Sequence, residues 1–504
     1  MDATLIDASE RDTLDALVDG TRRFLSREVD AAVIEAAGRI PDRVIAATAE
    51  AGLFGVTIPA EYGGLGLSLT SACSLVAEIA RVDRAVAIMV GLHAGLGTWA
   101  LVHHGSASQR ERWLPALASG ARVAAFAATE PGAGSDLHAI RTTAALDGDA
   151  LRLDGEKAYV TNGGFAGLYT LLVRTPSMGG ERSFSLVAAP RETAGITVGP
   201  EEDKLGVKAS STVSVMFDDA RVPREHVIGT EGAGMELAHQ TLARGRLLMA
   251  AGCAGTARYA LDASLAHVTS RRQFRRAIGE FDATRLTVAT MDATLFAMES
   301  LVGAAARALE ATEAGPEAMA LSSAAKVFCS EGAFTVCDAA VQLHGAMGFL
   351  EPTGVARALR DCRITRIFEG ANDVLLVLMG AALLGRKGSS AHPTLRHASL
   401  DELDRRRDEI TSKYRVEMGV RATQRQLLAQ RIARAAVCSQ AGWASVERAQ
   451  RQPERRDTAD FAVELMVREG HRQLDQLRTL DADERAAATL SARAYEPWMT
   501  VRKA

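Results

Sequence analysis

The stretch Arg360-Asp361-Cys362-Arg363-Ile364-Thr365-Arg366-Ile367-Phe368-Glu369-Gly370-Ala371-Asn372-Asp373 puts a carboxylate where two helical patterns meet. Upstream, Val355 to Ile367 repeats apolar residues at helical spacing; downstream, Val374 to Leu384 is almost wholly apolar. Gly370 punctuates the join, and Asn372 or Asp373 can cap the second helix through a side-chain oxygen. Glu369 is therefore expected in a short break, held by rigid flanks and free to point into a cavity. The dipole of the following helix favours its charged form, while Phe368 and Ile367 raise its pKa. That balance suits a general base working near neutral pH. A lone Glu-Gly pair reads as an exposed helix-start acid, so the assignment needs other motifs.

Two strand-like runs end in glycine turns. Phe126-Ala127-Ala128-Thr129-Glu130-Pro131-Gly132-Ala133-Gly134-Ser135-Asp136 is the first. Glycine lets the backbone approach a ligand, and exposed N–H groups in such a turn can hold an oxyanion. Gly155-Glu156-Lys157-Ala158-Tyr159-Val160-Thr161-Asn162-Gly163-Gly164 is the second. Each alone reads as an ordinary strand-end turn. Ser270-Arg271-Arg272-Gln273-Phe274 and Gln342-Leu343-His344-Gly345-Ala346-Met347-Gly348 each follow a long helical pattern. Arg271 alone is a solvated charge, although its planar donors match a phosphate. In Arg244-Gly245-Arg246, Gly245 cannot be a base, and Arg246 alone is a helix-surface cation. The glycines near residue 64 precede no β-α-β unit and read as a turn.

Taken together, these strings resemble the acyl-CoA dehydrogenase family, most closely its very-long-chain branch. The 360–373 string is similar to that family's Arg-Asp-x-Arg-Ile-x-x-Ile-Phe-Glu-Gly-x-Asn-Asp segment, which implies that Glu369 removes the α-proton of an acyl-CoA thioester. The 126–136 string looks like its flavin segment, which implies FAD as cofactor, with Phe126, Ala128 and Thr129 along the ring. Gly134 and Ser135 would then face the pyrophosphate and the substrate mouth. By the third match Tyr159 packs on the flavin and the Thr161 hydroxyl bonds N5. The helical matches assign Arg271, Gln273 and Phe274 to a neighbouring subunit's FAD, and Gln342, Gly345 and Ala346 to the adenine side. Ala371 and Asp373 complete the implied cofactor set. Arg246, Phe368 and Gly370 join Ser135 on the substrate side, and no metal is implied. Ala346 stands where the family has Gly, and Ala371 where it has Thr, which removes a hydroxyl contact to FAD. The implied reaction passes the β-hydrogen as hydride to the flavin and leaves a trans-2-enoyl thioester. Electrons then go to an electron-transfer flavoprotein. An acyl-CoA oxidase, a dehydrogenase of carrier-protein thioesters and a non-catalytic scaffold of the same fold are the alternatives.

The elements that must position these groups follow from periodicity. Residues 1–122 read as helices, including Val44–Ala51, Ser68–Ala80, Ala85–Val102 and Gln109–Leu117. From 123 to 233 the period becomes two, with strands at Ile140–Leu146, Ala150–Asp154, Leu168–Arg174, Ser183–Ala189 and Ser211–Phe217. These are expected to form a small antiparallel barrel or sandwich, without the β-α-β units of a dinucleotide fold. Residues 234–385 carry long helical stretches at Gly234–Thr269, Thr284–Ala311 and Pro316–Gln342, with Val374–Leu384 completing a four-helix bundle. A linker is expected at 385–400. Beyond it, 386–504 is a helical extension containing amphipathic segments at Arg425–Gln450 and Asp457–Leu477. The fold class is thus α+β and multidomain, and the order helices, strands, bundle is that of the family over about residues 20–385.

With 504 residues, 47% of them apolar and 24% charged, the chain can bury a sizeable core and is not a disordered tail. A net charge of −4 gives no field for nucleic acid. The six cysteines form no Cys-x-x-Cys pair, as expected of a reduced cytoplasmic protein. Met1–Asp15 is acidic and reads as neither a secretory signal nor a presequence. The resemblance implies a homo-oligomer, a dimer ahead of a tetramer. Trp443 among Arg425, Arg431, Arg434 and Arg448 raises peripheral membrane contact as a lesser option beside a structural tail.

Overall fold

The computed structural model describes residues 8–176, 180, 183–311, 315–386 and 394–501. The middle of the expected linker and the first seven residues of the acidic N-terminus lie outside them. The chain divides into two compact units, Met1–Ala371 and Asn372–Ala504.

The first unit opens with α1 (Ala8–Glu28), α2 (Ala31–Ala37), α3 (Asp42–Glu50), α4 (Leu69–Val82), α5 (Arg84–Leu92), α6 (Trp99–His104) and α7 (Ala107–Ala118). Caps set their starts. Ser68 accepts from the Ser71 N–H, Asp83 accepts from Val86 N–H at 2.9 Å, and Ser106 and Gln109 form a reciprocal capping box. The run expected as one helix over 85–102 is broken by a π-helical turn at His93–Gly97. Tight packing explains the break. A Cβ on Gly97 would lie 2.7 Å from the Ala124 side chain, and the His93 Nδ1 accepts from Ala124 N–H at 3.0 Å. The π turn thereby locks the helices to the first strand.

The strands are β1 (Ala124–Ala127), β2 (Thr143–Asp147), β3 (Ala150–Thr161), β4 (Leu168–Arg174), β5 (Phe184–Pro190), β6 (Ile196–Glu201), β7 (Thr212–Pro223) and β8 (Val227–Ile228). They form one sheet in the order β6-β7-β3-β2-β4-β5-β8, with β1 also paired to β4. The expected antiparallel sheet is mixed: β1 runs parallel to β4, and β2 meets β4 in parallel at Thr143 and Arg174. The reason is that β1 enters from a helical layer and not from a hairpin.

Three long helices follow: α8 (Gly234–Ser270), α9 (Asp282–Glu310) and α10 (Pro316–His344). Between α8 and α9 a small ribbon pairs β9 (Arg272–Gln273) with β10 (Arg276–Ala277). Two short helices, α11 (Ala346–Phe349) and α12 (Val355–Arg363), end the unit. Helix α4 packs on α8 at Gly255, where an added Cβ would lie 2.0 Å from the Ala77 carbonyl oxygen.

The second unit holds α13 (Asn372–Gly385), α14 (Ala398–Met418), α15 (Gln426–Arg451), α16 (Arg456–Asp475) and α17 (Leu480–Val501). Helix α13 begins at Asn372 itself, so Asn372 and Asp373 are its first residues and not a preceding cap. It packs on α15 so closely that a Cβ on Gly380 would meet the Ala429 carbonyl oxygen. Leu384, Leu403, Leu428, Ile432 and Leu474 share one apolar core. This unit overturns the lipid-facing reading of Trp443. That ring is buried and its Nε1 donates to Asp404 at 2.9 Å. Arg425 pairs with Asp481 and Glu484, and Arg448 donates to Gln452.

Candidate active site

After α12 the chain makes a single 3-10 turn, Ile364–Arg366, tied by the Thr365 hydroxyl donating to the Cys362 carbonyl at 2.6 Å. Glu369 then adopts a φ of +57°, a left-handed conformation that a non-glycine residue holds at a cost of about 1–3 kcal/mol. Gly370 follows at +95°. Two cations hold this turn by its backbone. Arg246 Nε donates to the Glu369 carbonyl at 2.9 Å, and Lys326 Nζ donates to the Gly370 carbonyl at 2.7 Å.

The carboxyl of Glu369 is left over. Its Oε2 is buried and has no hydrogen-bond partner. A Cβ on Gly245 would lie 3.0 Å from that oxygen and 2.3 Å from Leu96, so the acid sits over a place where α8 has no side chain. Burial pushes the Glu369 pKa up to about 7, against the opposing pull of Arg246 and Lys326. Burial likewise lowers Lys326 to about 8 and lowers Arg246. The carboxyl is thus enclosed at Oε2, in keeping with the expectation of a cavity-facing acid and not with that of an exposed helix-start acid, and its pKa is raised toward neutral.

Phe368 packs with Phe126 in one apolar cluster with Ile88, Leu92 and Leu96, which brings the Glu369 turn to the β1 strand. Beyond β1, Lys157 Nζ donates to Glu130 at 2.8 Å and to the Ala128 carbonyl at 3.1 Å. The Ala158 N–H donates to the Thr129 carbonyl at 2.9 Å. The two glycine-turn motifs are thus stapled side by side. Burial lowers the Lys157 pKa to about 8, while Glu130 is held low as Lys157 and neighbouring N–H groups outweigh its burial. The two directions differ because Lys157 is the more deeply enclosed partner. On the same rim, Tyr159 stands 65% exposed at a φ of +56°, and Thr161 is half-buried at the end of β3. Ala128 is buried and Thr129 half-buried, whereas Gly134 and Ser135 are exposed.

A second group of expected residues gathers at one end of the long helices. His267 stacks on His344 at 4.4 Å, so the ends of α8 and α10 lie side by side. Arg271, Gln273 and Phe274 protrude from the first, and Gln342, Gly345 and Ala346 from the second, all exposed. Phe274 is 87% exposed at a φ of +51°. Within one chain no described contact joins this group to the Glu369 turn. Ala371 is half-buried next to Gly370. Asp373 belongs to the second unit, where its carbonyl accepts from Gln430 at 3.3 Å.

Several functional positions escaped the motif reading. Lys157 and Glu130 were inside quoted motifs without a role, and Lys326 was not singled out. Lys326 is a solitary charge in Ser322-Ser323-Ala324-Ala325-Lys326-Val327-Phe328, which is a readable signal for a buried cation. Asp361 accepts from Val207 N–H at 2.5 Å and anchors the 204–208 loop on α12.

The rim fits a flat ligand with a phosphate tail. Cβ atoms on Gly132 and Gly134 would meet nothing within 4 Å, and the N–H groups of Gly132, Gly134 and Ser135 have no described acceptor. Tyr159 offers an aromatic face, Thr161 a hydroxyl, and Arg271 an exposed planar cation.

Comparison with known proteins points the same way. Family models described as the acyl-CoA dehydrogenase N-terminal, middle and C-terminal domains match residues 11–121, 125–220 and 232–384. The human very long-chain specific acyl-CoA dehydrogenase, mitochondrial, is 36% identical over 406 residues, 78% of this chain and 61% of that protein. The chain thus spans less than two thirds of that relative's length. The Mycobacterium tuberculosis protein named probable acyl-CoA dehydrogenase FadE25 is 36% identical over 372 residues, 73% of this chain and 95% of that one. A solved acyl-CoA dehydrogenase complexed with FAD from Bacillus anthracis superposes with a TM-score of 0.82 at 26% identity, covering 94% of this chain and 89% of that chain.

Proposed function

The chain belongs to the acyl-CoA dehydrogenase family, and on that footing we propose that it dehydrogenates an acyl-CoA thioester between Cα and Cβ. The observation that carries this reading is the Glu369 Oε2, buried without a hydrogen-bond partner, on the turn whose Phe368 shares an apolar cluster with Phe126. Bound FAD, as in the Bacillus anthracis relative, supplies the hydride acceptor. The residues of this chain do the rest. Glu369 takes the α-proton, and its pKa near 7 lets it do so at neutral pH. Arg246 and Lys326 grip the carbonyls of Glu369 and Gly370, so the carboxylate is fixed without being quenched by an ion pair. The Glu369 N–H donates to the thioester oxygen, where charge grows as the proton leaves. Phe126 and Phe368 keep water from the reacting carbons.

The protruding Arg271, Gln273 and Phe274 fit a role on the cofactor of a neighbouring subunit, which makes the working form a homo-oligomer, a dimer in the simplest case. An electron-transfer flavoprotein is the proposed electron acceptor. The test is anaerobic mixing of purified, flavin-loaded protein with acyl-CoAs of graded length. Loss of the flavin absorbance with formation of enoyl-CoA is expected. A protein that binds FAD yet is reduced by no acyl-CoA would overturn the reading, and fast reoxidation by O₂ would make it an oxidase.

A further inference from the structure

Arg84 opens α5 and is only 5% exposed. Its guanidinium lies along α8 in a place only glycine leaves free: a Cβ on Gly252 would sit 2.2 Å from Nη1. Nη2 makes two weak contacts, 3.3 Å to the Met249 carbonyl and 3.5 Å to the Cys253 sulfur. Nε is buried with no partner. Among the described residues no carboxylate pairs with Arg84. The buried acids on neighbouring elements are engaged elsewhere: Asp83 caps α5, Asp361 holds Val207, and Glu299 pairs with Arg258. Burial pushes the Cys253 thiol up, so it supplies no negative charge.

An enclosed guanidinium without a counter-ion is expensive, because removing such an ion from water costs several kcal/mol after relaxation. Arg84 is also not buried in solid core. It borders a cavity of about 10 Å³, room for one water, whose other walls include Val76, Ala87, Gly91, Leu248 and Phe368. Phe368 is the residue before Glu369. An otherwise apolar cavity next to the base therefore carries one unpaired cation.

We infer that Arg84 is a specificity-determining residue that receives a carboxylate carried on the substrate's acyl chain, at the end away from the thioester. The substrate class is then the CoA monothioester of a dicarboxylic acid. A bound carboxylate would take the unpartnered Nε–H together with the weakly engaged Nη2, which share one edge of the guanidinium, as a planar, charge-assisted pair. A plain alkyl chain would leave the cation buried and unpaired, which is the stronger form of discrimination available to a binding site. This inference rests on the acyl-CoA dehydrogenase reading above.

The test compares anaerobic flavin reduction by the CoA monothioesters of hexanedioic, octanedioic and decanedioic acids with reduction by hexanoyl-, octanoyl- and decanoyl-CoA. The wild-type holoenzyme should favour the dicarboxylic member in kcat/KM at one length at least. In Arg84→Met, which keeps the volume and removes the charge, the dicarboxylic-to-alkyl ratio should fall by about 100-fold or more. Calorimetric binding of the same pairs to the Glu369→Gln holoprotein gives a second readout that needs no turnover, and the dicarboxylic thioester should bind more tightly. Should Arg84→Met fail to fold, the wild-type ratio and the binding pair decide. Preference for the alkyl thioester at every length, or an unchanged ratio in Arg84→Met, overturns the inference and leaves the dehydrogenase reading intact. Reduction by neither series overturns both.

Discussion

Glu369 is backbone-strained and its Oε2 is buried without a hydrogen-bond partner, and each property carries a cost that the proposed role as base would explain. Its folded pKa of about 7 lies above the ordinary 4.5. A carboxylate shifted in that direction contributes stability in full below its unfolded value and loses it as pH rises through the folded one. Glu369→Gln is neutral at every pH, so it should melt with the parent near pH 4.5 and above it at pH 8. Asp361, also raised to about 7, is common to both proteins and cancels. The same variant should keep bound FAD and lose about 10²–10⁴-fold in the rate of flavin reduction. In the parent, kcat/KM should climb with pH through about 7, because the base acts deprotonated. A pH-independent rate, or a Gln variant reduced at the parental rate, would remove Glu369 from the role of base.

Among the elements, the contact that orders the site is Lys157 on β3 with Glu130 after β1. Lys157→Met leaves a buried carboxylate without its cation, a change that typically costs about 3–5 kcal/mol. The double variant Lys157→Met with Glu130→Gln should recover part of that in urea unfolding, because no lone charge remains. Equal losses for single and double variants would mean the pair is not coupled. This contact also marks what the sequence reveals. Alternation at the start of β3 buries Leu151 and Leu153 and made that half of the strand legible, as it did β4. The run of β3 on to Thr161, past register shifts that bury Lys157 and Ala158 together, was not read, and neither was the strand β6. The parallel course of β1 against β4 was not, because period-two patterning is blind to strand direction. The π turn at His93–Gly97 was hidden for a similar reason: the apolar pattern continues across it, and only the approach of Ala124 to Gly97 explains it. The string marks Glu369 as the candidate base, whereas the enclosure of its Oε2 comes from Gly245, far away in sequence. Arg84 carried no signal, since an Asp-Arg pair at a helix start reads as surface charge until Gly252 is placed against it.

For the molecule as a whole, the question is what the residues beyond 390 do. Helix α13 reads as the last bundle helix in sequence, yet within the second unit it lies on α15, with Gly380 against Ala429 and Leu384 in the core with Leu403, Leu428 and Ile432. A chain ended at residue 390 keeps α13 and deletes the helices it packs on. Leu384, 1% exposed in the intact chain, would then face water with its neighbours gone. Burying a leucine is worth roughly 1.5–3 kcal/mol, and a row of exposed apolar residues on one helix invites self-association. The truncated protein should therefore bind more of a hydrophobic dye, precipitate at lower concentration and melt at lower temperature than the full chain. Adding Leu384→Glu to the truncation should restore part of the solubility, because it places a charge on the uncovered face. The same Glu in the full-length chain should destabilise it, since there the position is buried. Light scattering on the four proteins separates these effects from a change in subunit number. If the truncated chain matches the parent in dye binding, solubility and melting, the tail is an independent appendage, and the packing of α13 on α15 contributes nothing to keeping the protein in solution.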